Sequence, residues 1–266
     1  CTELLINDTE YHSIELKGNG WVQINQGNNF NKNSFTLQSW FSGSNTVVTT
    51  GSQTILSMLN DSGDILIGIF KDPLYLDQLN IWIDNEPVGT IPISNELNDI
   101  DSFNLISLKS DISTLDSSLI LIDIFINKTK IFSQNTNLNS EKIEDIDFII
   151  GGKVNNNHTY RDSFWHGCID EVRLWNIALP DSIIEYHNDY PYKLSFESND
   201  ETYQSYLGEL FGLWTFYTQE NPYSTVPNEA CDTIERLYND NACNSSGSEA
   251  IIYTFGSEVE FSEKHK

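Results

Sequence analysis

Three groups of carboxylates are the residues in this sequence whose spacing can be compared with hydrolytic chemistry. Retaining cleavage of a glycosidic bond needs two carboxyl groups about 5 Å apart across that bond. Segment 144–147 (Glu-Asp-Ile-Asp) comes nearest, but Ile follows its Glu at the second position and no second Glu comes after it. Asp123 lies alone among Ile and Phe, and Asp170 and Glu171 are adjacent, so on a strand they point to opposite faces. The sequence therefore predicts that the protein is not an enzyme.

The histidines form no catalytic or metal-binding pattern. No H-E-x-x-H, G-x-S-x-G or phosphate-loop motif occurs in the chain. His166 stands next to Trp165 and could line a pocket, although a surface histidine without a ligand is the plainer alternative. Tyr160 lies just ahead of them in an Asn-rich loop between Lys153 and Asp162. Tyr160, Trp165 and His166 are therefore candidates for ligand contact at the rim of the fold.

Tryptophan side chains are the other residues that could take part in recognition. Sugar rings expose apolar C–H faces that stack on an indole ring, and buried packing is the common alternative for tryptophan. We assign Trp40 and Trp175 to packing. For Trp82 and Trp165 both interpretations stay open.

The charge of the chain restricts its partners. The formal net charge is -25 and the pI is about 4.2. Nucleic acids and anionic lipid surfaces are recognised through Lys and Arg, so neither is expected to bind. Cationic partners, divalent metal and simple solubility all remain compatible with an acidic surface.

Four cysteines suggest a location outside the cytoplasm. The sequence given starts at Cys1, as a processed bacterial lipoprotein does, and we expect acyl chains on Cys1 to hold the domain at the outer membrane. Cys231 and Cys243 lie in a polar segment and are expected to form a disulfide, which suits an oxidising compartment. Cys168 would then remain as a buried thiol.

Short apolar runs separated by turns give the fold class. Strands are predicted within 11–24 (two strands) and at 34–41, 54–59, 65–70, 79–83, 88–93, 103–108, 119–126, 148–152, 208–217 and 251–255. Another strand is expected from Ile169 to Leu174, with an irregular step that suggests a bulge. Asp181 and Ser182 can cap a short helix after it, with Ile183, Ile184 and His187 on one face.

This pattern predicts an all-β sandwich with one short helix. Residues 1–10 would form a short tether and residues 11–217 the sandwich. Residues 218–266 would be a C-terminal extension that contains the disulfide and a last strand.

The run from Phe164 to His187, which contains F-W-H-G-C-I-D-E-V-R-L-W, resembles the closing segment of the laminin-G and pentraxin branch of concanavalin A-like domains. The segments F-T-L-Q-S-W and F-I-I-G-G are similar to other strands of that family. The resemblance implies an all-β, two-sheet antiparallel jelly-roll sandwich with functional loops at one rim. Relatives often hold Ca²⁺ at that rim, and Asp61 and Asp64 offer the oxygen ligands that Ca²⁺ prefers, although an ordinary β turn is the alternative.

Two functions follow, both without catalysis. The first is an accessory or recognition subunit of an outer-membrane protein complex, in which another envelope protein is the partner. The second is a cell-surface carbohydrate-binding module. A glycoside hydrolase is a third and weaker interpretation.

Overall fold

The computed structural model describes most of the sandwich region and a few segments beyond it. The described residues are 13–18, 20–25, 30–43, 52–60, 62–72, 74–75, 77–93, 95–99, 102–138, 146–154, 161–191, 206, 209–214, 225–226 and 250–254. Among these residues, no helix is both long enough and apolar enough to cross a membrane.

The described chain is built almost entirely from strands. In order they are β1 (Ile14–Lys17), β2 (Gly20–Asn25), β3 (Phe35–Gly43), β4 (Gln53–Leu59), β5 (Ile65–Lys71), β6 (Gln78–Ile83), β7 (Glu86–Pro92), β8 (Asn104–Ile112), β9 (Ile120–Ile126), β10 (Thr129–Thr136), β11 (Asp147–Ile150), β12 (Lys153–Val154), β13 (Arg161–Asp162), β14 (His166–Trp175), β15 (Leu210–Trp214), β16 (Thr225–Val226) and β17 (Ala250–Thr254). A 3₁₀ turn covers Asn95–Asn98, and helix α1 covers Asp181–Asp189.

Two antiparallel sheets account for all but one pair of the described strands. The seven-stranded sheet has the order β1-β14-β3-β8-β9-β10, with β15 also paired to β14. The eight-stranded sheet has the order β16-β17-β2-β11-β4-β5-β6-β7, and β12 pairs with β13 separately. The two-sheet antiparallel sandwich expected from the sequence is therefore confirmed, and the last strand is present as β17.

The core lies between the two sheets and follows the alternation of apolar residues in the sequence. In β6, for example, Leu79, Ile81 and Ile83 belong to the core while Asn80 and Trp82 lie on the opposite face. Phe35, Leu37 and Phe41 of β3 enter the core, as their shared face predicted. Their intervening neighbours are also buried, so the outer face of the seven-stranded sheet is covered as well.

Helix α1 covers part of that outer face. Ile183, Ile184 and His187 are its buried residues, as the helical spacing predicted. The predicted cap is wrong, because the helix begins after Pro180 and has no side-chain cap hydrogen bond. The carboxylate of Asp181 is bound by lysine side chains of the sheet instead.

The predicted bulge occurs in β14. The pairing of β14 with β3 shifts register between Asp170 and Val172, and Glu171 between them has a φ of 34°. This left-handed backbone costs energy for a residue with a side chain, so the neighbouring contacts must hold it. The bulge turns Glu171 towards Arg173 two residues later.

Cys168, in the same strand, is not the leftover thiol that the sequence suggested. It is fully buried and takes part in a disulfide. The remaining cysteines, Cys1, Cys231 and Cys243, lie outside the described residues. Because the partner of Cys168 is one of these three, acylation of the Cys1 thiol and a Cys231–Cys243 disulfide cannot both hold.

Candidate functional site

The sequence suggested that Asp123 is an isolated carboxylate. In the structure it lies in a charged cluster on the outer face of the seven-stranded sheet. Its side chain is 1% exposed, and Lys109 and Lys130 approach it to 3.2 and 3.0 Å. The hydroxyl of Ser133 donates a hydrogen bond to the same carboxylate at 2.6 Å. The Asp123 carboxylate therefore forms ion pairs with two lysines and accepts a hydrogen bond from a hydroxyl group.

The Glu171 carboxylate also forms an ion pair. Arg173, which is fully buried, donates from Nε to the Glu171 carboxylate. The guanidinium group of Arg173 lies 4.6 Å from the centre of the Trp40 ring. The bulge thus creates a buried ion pair packed on an aromatic ring, and Glu171 serves as the counter-ion of Arg173.

The structure distinguishes Trp165 from Trp82, for which both packing and sugar stacking were open. Trp165 is 0% exposed, packs against Phe41 in the core and donates its indole N–H to the carbonyl oxygen of Ser42 at 3.2 Å. Trp165 therefore cannot serve as a sugar platform. Trp82, in contrast, is only half-buried on the outer face of the eight-stranded sheet.

Trp82 forms one wall of a surface cleft. The cleft has a volume of about 320 Å³, counting the space open to solvent, and it is lined by residues of several strands and loops: Ser52, Ile65, Phe70, Trp82, Lys153 and Ser163. The rings of Phe70 and Trp82 meet edge to face, with their centres 6.1 Å apart. This arrangement leaves an indole ring beside an open depression with polar groups along its other side.

A glycine determines the shape of the cleft. Gly68 pairs with Trp82 across β5 and β6. A Cβ atom on Gly68 would lie 2.3 Å from the Phe70 ring and 3.1 Å from Ile65, so both side chains fold over this residue. Without a side chain at position 68, Phe70 can lie flat enough on the sheet to leave Trp82 partly open.

The polar wall is fixed by backbone contacts. The amide of Thr54 donates to the carbonyl oxygen of Ser163 at 2.6 Å, which holds Ser163 against β4. Thr54 pairs with Phe70, and its hydroxyl is buried without a hydrogen-bond partner. Ser163 itself has a φ of 58°, so the backbone turns sharply at the edge of the cleft. The position of Ser163 in this wall is therefore set by the backbone.

A polar network continues from the cleft along the same face. Asn80, which pairs with Phe70, donates to Asp72 at 2.8 Å and accepts from Thr90 at 2.8 Å. Burial alone would raise the pKa of Asp72, but hydrogen bonds from Asn80 and from the amides of Leu74 and Tyr75 outweigh it and lower the pKa. Asp72 therefore stays ionised and fixes the loop that follows β5.

The rim residues proposed from sequence do not come together as one site. His166 is half-buried, and its pKa is lowered by burial and by the charge of Lys71. Tyr160 and Asp61 lie outside the described residues. Asp64 accepts a hydrogen bond from the Asn60 amide at 3.3 Å, as in an ordinary turn. Among the described residues, no group of three or more His, Cys, Asp or Glu residues could hold a metal ion.

Sequence reasoning retained Trp82 but did not find the rest of the cleft. Ser52, Lys153 and Ser163 come from three distant segments, and their types carry no signal. The Gly in the apolar run of β5 was the one available signal, because glycine inside a strand often marks a close approach of another group.

Together, the two stacked antiparallel sheets define a jelly-roll sandwich. A family model described as "Concanavalin A-like lectin/glucanases superfamily" (Laminin_G_3) matches residues 16–185. The chain therefore belongs to the laminin-G-like group of this superfamily, as the resemblance in its sequence implied. No curated protein sequence is significantly similar to the chain.

Solved structures share this fold at low sequence identity. A protein from Bacteroides ovatus, described as a "putative carbohydrate binding protein", is 13% identical with a TM-score of 0.54, over 93% of this chain and 62% of that one. A Trypanosoma rangeli sialidase in complex with sialic acid is 16% identical with a TM-score of 0.50, over 70% of this chain and 29% of the sialidase. A SAP-like pentraxin from Limulus polyphemus is 14% identical with a TM-score of 0.48, over 67% of this chain and 82% of the pentraxin. At these identities the likeness concerns the fold alone.

Proposed function

We propose that the chain is a non-catalytic recognition module that binds carbohydrate in the cleft beside Trp82. The half-buried indole of Trp82 next to a depression of about 320 Å³ is the observation that carries this proposal. Because this space is open to solvent, a sugar would lie against the protein surface and not inside an enclosed pocket. The Bacteroides ovatus protein supports the proposal by analogy of fold only.

The chemistry of the cleft suits a sugar. The apolar C–H face of a pyranose ring can stack on Trp82, while its hydroxyl groups reach Ser52, Ser163 and Lys153 on the other side. A cleft open to solvent excludes little water, so we expect weak binding, with a dissociation constant of about 10 μM to 1 mM. Such affinities become useful when several copies act together.

The absence of catalysis is part of the proposal. Hydrolysis by the usual mechanism requires one carboxylic acid and one free carboxylate across the bond. Asp123 and Glu171 instead neutralise buried or half-buried cations, and Asp147 accepts a hydrogen bond from Gln23 at 3.1 Å. These contacts give each carboxylate a structural role.

Glycan binding with a Trp82 variant tests the proposal. The purified protein is applied to a glycan array, and the affinity for any ligand found is measured by calorimetry for wild type and Trp82→Ala. We expect at least a tenfold loss of affinity for Trp82→Ala and no loss for Tyr75→Ala, an exposed aromatic residue that does not line the cleft. Equal binding by wild type and Trp82→Ala, or no glycan ligand at all, would contradict it.

A second function is favoured by exposed aliphatic residues at loop tips. Leu74 is 82% exposed and Leu115 is 85% exposed. Exposed aliphatic side chains suit a protein partner better than a sugar, and on this ground we propose, as the alternative, an accessory subunit of an envelope complex. Pull-down of the native protein from detergent-solubilised membranes is the test. A stoichiometric partner lost in Leu74→Ser or Leu115→Ser supports this alternative, and a protein recovered alone contradicts it.

Attachment to the bacterial outer membrane through acyl chains on Cys1 remains a separate proposal. Its measurement is the intact mass of native protein, combined with peptide mapping under non-reducing conditions. Acyl mass on the Cys1 peptide, together with a link from Cys168 to Cys231 or Cys243, would support it. A Cys1–Cys168 disulfide would exclude it.

A further inference from the structure

Lys71 is a buried cation that contacts no carboxylate of the described residues. It ends β5, two residues after the core residue Ile69, so its side chain points into the end of the sandwich. The residue is 0% exposed. Its ammonium group donates to the carbonyl oxygen of Leu97 at 3.1 Å and lies 5.5 Å from the centre of the Trp165 ring. Among the described residues, no carboxylate oxygen reaches it.

Gln53 lies beside Lys71, and its side-chain amide nitrogen has no acceptor among the described residues. The two residues pair directly across β4 and β5, so their Cβ atoms lie about 5 Å apart on the same face. The side-chain oxygen of Gln53 accepts the amide N–H of His166 at 3.1 Å, which orients the group. Its Nε2 atom, with two N–H donors, is buried without a hydrogen-bond partner.

These two side chains concentrate positive charge and donors in one enclosed place. The titratable group beside them is His166, whose pKa is lowered by burial and by the charge of Lys71, and no carboxylate of the described residues supplies a compensating negative charge. A buried ammonium group that lacks a counter-ion destabilises the folded protein, and so do buried N–H groups without an acceptor. An acceptor with negative charge would satisfy both residues together.

We propose that Lys71 and Gln53 form a buried binding site for a small monovalent anion of halide size. We choose a halide-sized ion because Lys71, Gln53 and Trp165 are 0%, 1% and 0% exposed, so a ligand between them must be small enough to lie wholly inside the protein. The site lies on the core side of the eight-stranded sheet, whereas the Trp82 cleft lies on its outer face. The proposal is therefore independent of carbohydrate binding.

The anion would also control the protonation of Lys71. Burial lowers the pKa of this lysine to about 8, so the amine loses its proton readily. A bound anion favours the charged amine and raises this pKa. Anion binding should consequently weaken as the pH rises above 8.

Thermal and chemical unfolding in chloride tests the site. The folded full-length protein is unfolded in sodium chloride and in sodium gluconate at equal ionic strength, because gluconate is too large to enter. At a chloride concentration 100 times the dissociation constant, the unfolding equilibrium constant should fall about a hundredfold relative to gluconate. Equal stability in the two salts would contradict the proposal.

Three variants separate this site from general salt effects. Lys71→Met removes the charge, and Gln53→Glu supplies an internal carboxylate in place of the ion; we expect both to lose the chloride dependence. If Lys71→Met fails to fold, Gln53→Glu still provides the test. Lys128→Met removes an exposed lysine that pairs with Asp189 and should keep the full chloride response. Chloride dependence that persists in Gln53→Glu would overturn the assignment.

A crystal grown in sodium bromide provides the direct observation. We expect an anomalous scattering peak between the Lys71 amine and the Gln53 amide in wild type, and no peak in Gln53→Glu. An ordered water at this position without anomalous signal, in crystals that carry bromide elsewhere, would show a hydration site and overturn the proposal.

Discussion

The ammonium nitrogen of Lys130 lies 2.9 Å from the carboxylate of Asp181, so the β9–β10 hairpin is joined to the first residue of α1. Lys109 of β8 reaches the other oxygen of the same carboxylate at 2.5 Å. At the far end of the helix, Lys128 pairs with Asp189 at 2.5 Å. The short helix is therefore held on the sheet by charge at both ends and by its apolar face between them.

Asp181→Asn should lower the stability of the fold in a pH-dependent manner. Burial raises the pKa of Asp181, but Lys109 and Lys130 outweigh it, and the pKa lies below the ordinary 3.8. A carboxyl group with a lowered folded pKa stabilises the protein above the unfolded value and loses this effect as the pH falls through the folded value. Because Asp181 is 44% exposed, the loss at pH 6 should be below about 1 kcal/mol.

Urea unfolding of wild type and Asp181→Asn between pH 6 and pH 2 measures this difference. The difference in the free energy of unfolding should shrink below pH 3.8 and vanish once Asp181 is protonated in the folded protein. Asp77→Asn, at an exposed position with no ion pair among the described residues, is the control and should show no such dependence. A constant difference at all pH values would mean that packing and not charge is responsible.

Glu171→Gln should destabilise the protein more strongly, by about 3 kcal/mol. The substitution keeps the shape of the side chain but leaves the guanidinium charge of Arg173 buried and uncompensated. Denaturant unfolding measures the loss. Glu15→Gln removes a carboxylate 4.0 Å from exposed Lys17 and should cost less than about 1 kcal/mol. Similar values for the two variants would contradict the view that the bulge serves a buried ion pair.

Gly68→Ala should disturb the cleft, whereas Gly89→Ala should not. An added Cβ at position 68 meets the Phe70 ring at 2.3 Å, so the Phe70 ring, which contacts Trp82, must move. At position 89 the nearest atom is a Phe132 ring carbon at 3.8 Å. We expect Gly68→Ala to cost about 1–3 kcal/mol, and Gly89→Ala to stay within about 0.5 kcal/mol of wild type.

Trp82 fluorescence and glycan affinity then report on the cleft itself. Both should change in Gly68→Ala and stay unchanged in Gly89→Ala. An unchanged affinity in a folded Gly68→Ala protein would place the ligand elsewhere.

Lys71→Met should stabilise the protein at neutral pH when no small anion is available. The folded pKa of Lys71 is about 8 and the unfolded value is 10.5, so between these values the unfolded chain binds the additional proton. Wild-type stability therefore gains from Lys71 as the pH rises from 8 to 10.5, and below pH 8 its buried charge is unfavourable. The gap between Lys71→Met and wild type, measured by urea unfolding in gluconate, should narrow over this range. A gap that widens instead would contradict the lowered pKa.

The sequence predicted the strands that have one clear apolar face. Ile14 with Leu16, and Val22 with Ile24, alternate with more polar residues, and both pairs lie in the core. Strand β10, Thr129–Thr136, was missed because it is an edge strand whose residues are largely polar and at most half-buried. Alternation of apolar and polar residues does not reveal a strand when neither face of that strand is fully buried.

The site was less accessible to sequence reasoning, for a physical reason. Trp82 and Trp165 are the same residue type in comparable local contexts, and their exposure depends on which distant segments pack over them. The Lys71–Gln53 pair depends likewise on the register of β4 and β5. The local sequence pattern predicts the face of the strand on which a side chain lies, but it does not predict which distant residues contact that side chain.

Strand β7, Glu86–Pro92, ends the eight-stranded sheet and carries Pro87 and Pro92. Proline has no amide hydrogen, so the outer border of this sheet offers an interrupted row of donors to another chain. Copies of the protein crowded together should accordingly resist joining border to border into fibrils, even though their interior is rich in isoleucine.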